Sequence, residues 1–375
     1  MKIAVLGAGM VGRTMALDLA LQHEVTSFDA SEQALSILTT RNASITTVTA
    51  NLTAYEAYTA MLAPFDMVVT AVPGFMGFNT LKAVIEAGKN VVDISFFPED
   101  ALSLDKLAKE RNITAIVDCG VAPGVSNLVI GYYNEIMELE SFECYVGGLP
   151  KTRKKPFEYK APFSPIDVIE EYTRPARLKE NGKIVVKPAL TEIDLMEFDE
   201  VGTLESFNTD GLRSILFTMP HVPDMKEKTL RYPGHAAMII ALQRSGFFAE
   251  TPMQYNNQEI IPLHYTSAIL LNEWKLQPGE EEFTIMKVVV KGKSNGVKKT
   301  IEYNMLDRYD TATQTSSMSR TTGYTCTAAV NAFAAGLFSD KGVFPPELVG
   351  KYESCFNYIL NYLKERNVNW VKTEY

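Results

Sequence analysis

Along the first third of the chain, short apolar runs alternate with stretches whose apolar residues recur every three or four positions. Residues 1–6, 25–28, 45–49, 67–71, 90–94 and 114–117 read as strands. Residues 13–21, 31–38 (with Ser31 as cap), 55–62, 80–87 (ended by Gly88) and 104–111 read as helices. Continuous apolar strands joined by amphipathic helices predict an α/β fold, a Rossmann-type doubly wound parallel sheet, over residues 1–125. From Ser126 the pattern changes: prolines, aromatics and charges mix through 147–229, and strand-like runs appear at 141–146, 183–187, 259–264 and 282–291. The alternation in 283–290 suits a half-buried antiparallel sheet, so 126–320 reads as a second, mixed α+β domain that holds substrate or joins subunits. After Thr321 the chain turns helical again, small and apolar over 324–337 and amphipathic over 347–366. Residues 321–375 are expected to return and cover the first domain. No internal repeat or low-complexity segment interrupts this order.

Between the first strand and first helix lies Gly7-Ala8-Gly9-Met10-Val11-Gly12. Such a glycine pattern is common, and its context gives it meaning: strand before, helix after, and an acidic residue closing the next strand. Gly7 permits the tight turn, Gly9 lets backbone approach a pyrophosphate, and Gly12 lets helix pack on strand. Asp29, 22 residues beyond Gly7, is placed to accept ribose hydroxyls. A 2′-phosphate would meet that carboxylate, and Asp29 is followed by Ala30 and Ser31, with Arg41 the next cation. NAD is therefore expected over NADP. The polar or small residues at the strand ends complete the expected cofactor set: Gly7, Gly9, Met10, Val11, Gly12, Asp29, Ala30, Asn51, Ala71, Val72, Pro73, Asp93, Cys119 and Gly120.

At 375 residues the chain exceeds what one core usually covers, and its 46% hydrophobic, 22% charged make-up is that of a globular protein. A net charge of -9 argues against nucleic acid as partner. Lys151, Arg153, Lys154 and Lys155 form one basic cluster between Pro150 and Pro156, a solvated loop or a guide for an anion. No apolar run has the length of a membrane span, and because Met1 leads directly into the first strand no signal peptide is expected. Cys119, Cys144, Cys326 and Cys355 show neither zinc nor disulfide spacing, so a cytoplasmic protein without a metal is expected.

The segments Asp118-Cys119-Gly120-Val121-Ala122-Pro123-Gly124-Val125-Ser126-Asn127 and Tyr145-Val146-Gly147-Gly148-Leu149-Pro150, with the glycine fingerprint, resemble the saccharopine dehydrogenase-like family. Within it the lysine 6-dehydrogenase branch is closer. Its blocks are matched around Glu158-Tyr159-Lys160, Phe163-Ser164, Tyr172-Thr173, 204–211 and 228–235. Saccharopine-forming members tend to carry Asp where this chain has Ala122 and Cys where it has Val146. The resemblance implies NAD-linked oxidation of L-lysine at the ε-carbon, and a homodimeric enzyme is expected. The alternatives are reductive condensation of an amine with a carbonyl compound, as in saccharopine or carboxynorspermidine enzymes, and a non-catalytic dinucleotide-binding regulator.

Hydride leaves a carbon bearing nitrogen only when that nitrogen has a lone pair, so a proton acceptor is needed. Asp93, at the end of a buried strand, is one candidate, or else a cap for the next turn. His235 follows Arg231-Tyr232-Pro233-Gly234, reads as a loop histidine in the neutral titration range, and is either base or structural donor. Lys160 is catalytic or merely exposed. Arg213 and Arg231 are carboxylate clamps or surface ion pairs, and Tyr159 and Thr209 complete the expected substrate set. These segments are expected to meet the 73–74, 93 and 119–120 strand ends around the substrate.

Overall fold

A computed structural model describes residues 1–161 and 165–375; of Pro165, Ile166 and Asp167 it describes the backbone. The Phe163-Ser164 block lies outside the described residues. The chain divides into two compact units. The first comprises Met1–Glu138, Lys293–Val297 and Met318–Trp370, and the second Leu139–Gly292, Lys298–Ser317 and Val371–Tyr375.

The first unit is built on a seven-stranded sheet. From one edge the strands are Gly342–Phe344, Thr114–Ile116, Asn90–Asp93, Met67–Thr70, Lys2–Leu6, Glu24–Asp29 and Thr46–Thr49. Every pairing between neighbours is parallel. Helices Met10–Leu19, Glu32–Arg41, Tyr58–Leu62, Gly74–Glu86 and Asp105–Glu110 are the crossovers. Central strands are apolar throughout because both faces are covered: Ile3, Ala4, Val5 and Leu6 are fully buried, as are Val68, Val69, Val91 and Val92. The Rossmann-type doubly wound expectation holds. The pattern showed six strands, and the seventh, Gly342–Phe344, comes from the region read as all-helical. Three residues are too few to display a period. The Gly74–Glu86 helix also starts earlier than Thr80, capped by Pro73. Its first turns hold two glycines, and Gly77 packs so close to Ser95 and Phe97 that a Cβ would lie 2.5 Å from the Phe97 ring. Packing overrides weak helix propensity there.

Later helices join this unit. The Ser317–Ala334 helix lies against Met10–Leu19, where Gly323 faces Thr14 and Met15. Asp18 is buried and accepts hydrogen bonds from Thr327 Oγ1, Tyr362 Oη (2.7 Å) and Arg366 Nε (2.7 Å). Residues 347–366, expected as one helix, form two: Pro346–Gly350 and Glu353–Glu365.

The second unit carries most of a mixed sheet whose main path runs Asp194–Phe198, Gly202–Asn208, Asp224–Arg231, Glu138–Pro150, Glu282–Ser294, Val297–Arg308 and Trp370–Glu374. Strand Asp224–Arg231 is parallel to Glu138–Pro150 and antiparallel to Gly202–Asn208. Helices Pro165–Thr173, His235–Arg244 and Pro262–Trp274 surround a core of Tyr159, Tyr172, Phe207, Ile239, Leu270 and Trp274. The strand expected over 259–264 shrinks to Gln258–Ile260, because Pro262, with its fixed φ and no N–H, begins a helix instead. No helix of the described residues is long and apolar enough to cross a membrane.

Candidate functional site

In the first unit, Gly7 has φ +108, and a Cβ on it would stand 2.4 Å from the Ala71 carbonyl oxygen. A Cβ on Gly12 would lie 2.0 Å from the Gly7 oxygen. Neither position admits a side chain. Gly9 differs: it is exposed, with no atom within 4 Å of where its Cβ would be. It caps the Met10–Leu19 helix, and no side chain bonds to that terminus. Exposed Met10 and half-buried Val11 form its first turn. An uncapped helix N-terminus under an open glycine turn fits a pyrophosphate, since amide donors and the helix dipole both favour an anion. Asp29 closes the next strand, half-buried, and braces the turn: Oδ2 accepts the Ala8 N–H at 2.6 Å and Oδ1 the Ser31 N–H at 2.7 Å. Ala30 is exposed, and Ser31 caps the following helix through Ala34 N–H. Arg13 is pulled below the usual arginine range by burial and by Arg41, so the fold brings those two cations near each other.

The other cofactor candidates line strand ends. Asn51 is exposed and accepts from Thr53 N–H and Oγ1. Ala71 and Val72 follow the Met67–Thr70 strand, and exposed Pro73 caps the next helix. Asp93 is wholly buried, its Oδ1 accepting from Thr70 Oγ1 and from Ser95 N–H at 3.2 Å. Burial pushes its carboxyl up to about 7. Cys119 and Gly120 sit in the turn beyond Thr114–Ile116, with Cys119 N–H donating to the Asp93 carbonyl at 3.0 Å. Burial drives the Cys119 thiol far above its ordinary range, which suits packing and not nucleophilic work.

The second unit gathers Tyr159, Arg231 and His235 around Tyr172, a residue the sequence pattern did not single out as a site. Arg231 ends its strand buried at 2% exposure. Its Nε donates to Tyr172 Oη at 3.1 Å, and its Nη2 reaches Glu171 Oε2 at 3.1 Å and Tyr159 Oη at 3.4 Å. The guanidinium carbon stands 4.4 Å from the Tyr159 ring centre. His235 is not in a loop: it opens the His235–Arg244 helix behind Gly234, whose φ is +99. Glu205 fixes that opening by accepting from Gly234 and Ala236 N–H at 2.8 and 2.6 Å. His235 Nδ1 is 3.0 Å from the Phe157 carbonyl, which can only accept, so Nδ1 carries the proton. Nε2 then accepts from Tyr172 Oη at 2.9 Å. The expected near-neutral titration is overturned: burial, then Arg231, lower His235 to about 3, so the ring is neutral. Trp274 walls the cluster at 5.4 Å from Tyr159 and 6.0 Å from Tyr172, ring to ring.

Thr209 is bound instead to the Asp224–Arg231 strand. Its hydroxyl donates to Glu227 Oε2 at 2.8 Å, and burial first, then Thr209, Glu171 and Asp210, leaves Glu227 at about 8. Lys160 instead gives its ammonium to the Glu273 carbonyl. Arg213 is buried at a positive φ of 48. Every cation of the basic cluster meets a carboxylate: Lys151 meets Glu281, Arg153 and Lys155 together meet Glu158, and Lys154 meets Glu280. Among the described residues no group of three or more His, Cys, Asp or Glu is placed to hold a metal.

A classic dinucleotide strand order, with its reversal between Lys2–Leu6 and Met67–Thr70, and an open glycine turn define the class: a Rossmann-type protein with a nicotinamide dinucleotide site. The saccharopine dehydrogenase NADP binding domain matches residues 3–116, and the saccharopine dehydrogenase C-terminal domain matches residues 120–368. The chain belongs to the saccharopine dehydrogenase family. It is 26% identical over 216 residues to the NADP(+), L-glutamate-forming saccharopine dehydrogenase of Pyricularia oryzae, covering 54% of this chain and 48% of that one. It is 22% identical to carboxyaminopropylagmatine dehydrogenase of Synechocystis, over 92% of each. The apo L-Glu-forming saccharopine dehydrogenase of Saccharomyces cerevisiae superposes with TM-score 0.80 at 18% identity, over 100% of this chain and 99% of that one. The chain spans between 20% and 48% of the curated semialdehyde synthases and saccharopine dehydrogenases it matches.

Proposed function

We propose that the protein is a nicotinamide-dinucleotide-dependent oxidoreductase acting at a carbon–nitrogen bond of an amino acid or amine. The observation that carries this reading is the open Gly9 turn over an uncapped helix, braced by Asp29, in a chain of this family. NAD is the preferred nucleotide, because the Asp29 carboxylate opposes a 2′-phosphate and Ala30 offers no cation. NADP is the second reading, favoured by the paired charges of Arg13 and Arg41, whose repulsion a phosphate would relieve.

The finer proposal is oxidation of L-lysine at its ε-carbon, supported by the sequence resemblance and by Ala122 and Val146. The condensing reading, an amine joined reductively to a carbonyl compound, is favoured by the Synechocystis relative that covers nearly the whole chain. When bound, the cofactor accepts or supplies a hydride. The protein's own groups handle the proton and the charges. Asp93, held near 7, changes protonation at working pH, whereas His235, near 3 with Nε2 taken by Tyr172, does not. Asp93 is accordingly the proton acceptor in this reading, and His235 fixes the Tyr172 phenol. Arg231 spends its donors on Tyr172, Tyr159, Glu171 and the Leu230 carbonyl, so it positions the cluster, and Arg213 is the carboxylate clamp. Tyr159 and Thr209 contact substrate, Lys160 shapes the adjacent loop, and the second unit serves as the substrate domain.

The experiment is a screen of NAD and NADP reduction across amino acids and polyamines, with and without 2-oxoglutarate. Lysine turnover with NAD alone, releasing ammonia, supports the finer reading. Reaction only with a carbonyl partner present selects condensation, and silence with every pairing removes the oxidoreductase proposal.

A further inference from the structure

Asp93 closes a strand in the half of the sheet that, by the point of order reversal, takes the second mononucleotide of a dinucleotide. Its two oxygens are treated unequally. Oδ1 receives both available donors, Thr70 Oγ1 and the Ser95 amide. Oδ2 is buried without a hydrogen-bond partner, as is the Ser95 hydroxyl two residues on. The titratable groups acting on the site come from two elements: Asp118 and Cys119 from the turn after Thr114–Ile116, and Cys326 from the Ser317–Ala334 helix. All are acids or thiols. Among the described residues no lysine, arginine or histidine forms a hydrogen bond or ion pair with Asp93. A buried carboxyl with an empty oxygen and no cation favours its protonated form. Positive charge brought from outside the chain shifts it toward the ionised form. Of the two redox states of a nicotinamide ring, only the oxidised one carries that charge.

We propose that Asp93 couples its protonation to the redox state of the bound dinucleotide: ionised with the oxidised, cationic form, and protonated on Oδ2 with the reduced, neutral form. This rests on the dinucleotide reading and goes beyond it, since it concerns binding equilibria and not turnover. Binding of the oxidised form releases one proton from Asp93 to solvent, and binding of the reduced form leaves it in place. No bond of the nucleotide is made or broken. A nearby cation in a water-poor site shifts a carboxyl by a unit or more, and each unit is a tenfold change in equilibrium. The protein thereby favours its oxidised cofactor at high pH and its reduced cofactor at low pH.

The test is binding of the full chain to NAD and NADH, and to the NADP pair, between pH 5.5 and 8.5, with affinities from fluorescence competition. Calorimetry in two buffers of unlike ionisation enthalpy counts the protons released. The expected result is that the ratio of oxidised to reduced affinity rises about tenfold across this range. Proton release accompanies the oxidised form alone, and Asp93→Asn flattens both signals. Thr70→Val, which removes a donor from the carboxylate, moves the midpoint to higher pH and guards against an Asp93→Asn variant that fails to fold. A pH-independent ratio with no proton released overturns the coupling, and so does a midpoint that ignores Thr70→Val. Failure to bind either nucleotide in either state is a different result, since it removes the dinucleotide reading and the coupling together.

Discussion

Glu227 and His235 are buried in one unit of the protein, and burial drives both toward their neutral forms, one by raising and the other by lowering its pKa, which gives stability a particular pH profile. Glu227 is raised to about 8 mainly by desolvation. Its folded value lies above the unfolded one, so the folded state holds more protons between about 4.5 and 8, and stability falls as pH rises through that window. Glu227→Gln removes the term. The variant should gain on the wild type by on the order of 4 kcal/mol between pH 5 and 9. Denaturant titrations at both pH values check this, and a constant difference between the two proteins would refute it. His235 runs the other way. With a folded value near 3, the unfolded state holds more protons, so its contribution is full above 6.5 and is lost as pH falls toward 3. Nitrogen NMR should find His235 neutral with its proton on Nδ1 at pH 5, and a protonated ring there would undo the assignment. Neither residue's state was legible in the sequence. His235 read as an ordinary loop histidine because the groups that lower it, Arg231 and the surrounding apolar walls, come from elements that only folding brings together.

Among the elements, the early strands and crossover helices could be read from periodicity because each is long enough to show one and lies in a regular alternation. The Gly342–Phe344 strand and the Pro262–Trp274 helix could not, the first being too short and the second following a strand-like run. The glycine turn was legible because its chemistry is local, with all three glycines and Asp29 within 23 residues. The Tyr159, Tyr172, Arg231 and His235 cluster was half-visible: its members are spread over 77 residues and share no spacing rule. Long-range polar ties hold elements together as well. Asp18, on the first helix, accepts from Thr327, Tyr362 and Arg366 on later ones. Removing one partner of a buried ion pair strands the other, so Asp18→Ala should lower stability by about 3 kcal/mol and Asp18→Asn by less. Chemical denaturation measures both, and a loss under about 0.5 kcal/mol for the alanine variant would show the tie to be incidental.

For the molecule as a whole, nucleotide choice is the property that the proposed reading assigns to one side chain. Asp29 braces the glycine turn through Ala8 and Ser31, and on that reading it also meets the ribose, so Asp29→Ala should weaken NAD binding and narrow the proposed preference over NADP together. Direct titration of both nucleotides decides it, and tighter NADP than NAD binding in the unaltered protein would turn the choice toward the Arg13 and Arg41 reading. The seventh strand of the first sheet carries a further consequence, for biosynthesis. Gly342–Phe344 pairs with Thr114–Ile116, so the ribosome makes some two hundred residues between a strand and its neighbour. At about 5–20 residues per second the Thr114–Ile116 edge stays uncovered for on the order of 10–40 s in every nascent chain. During that interval its unpaired amides and carbonyls are a template for other strands. Chaperone capture of stalled nascent chains should therefore rise once Ile116 has left the exit tunnel and persist until Phe344 follows it.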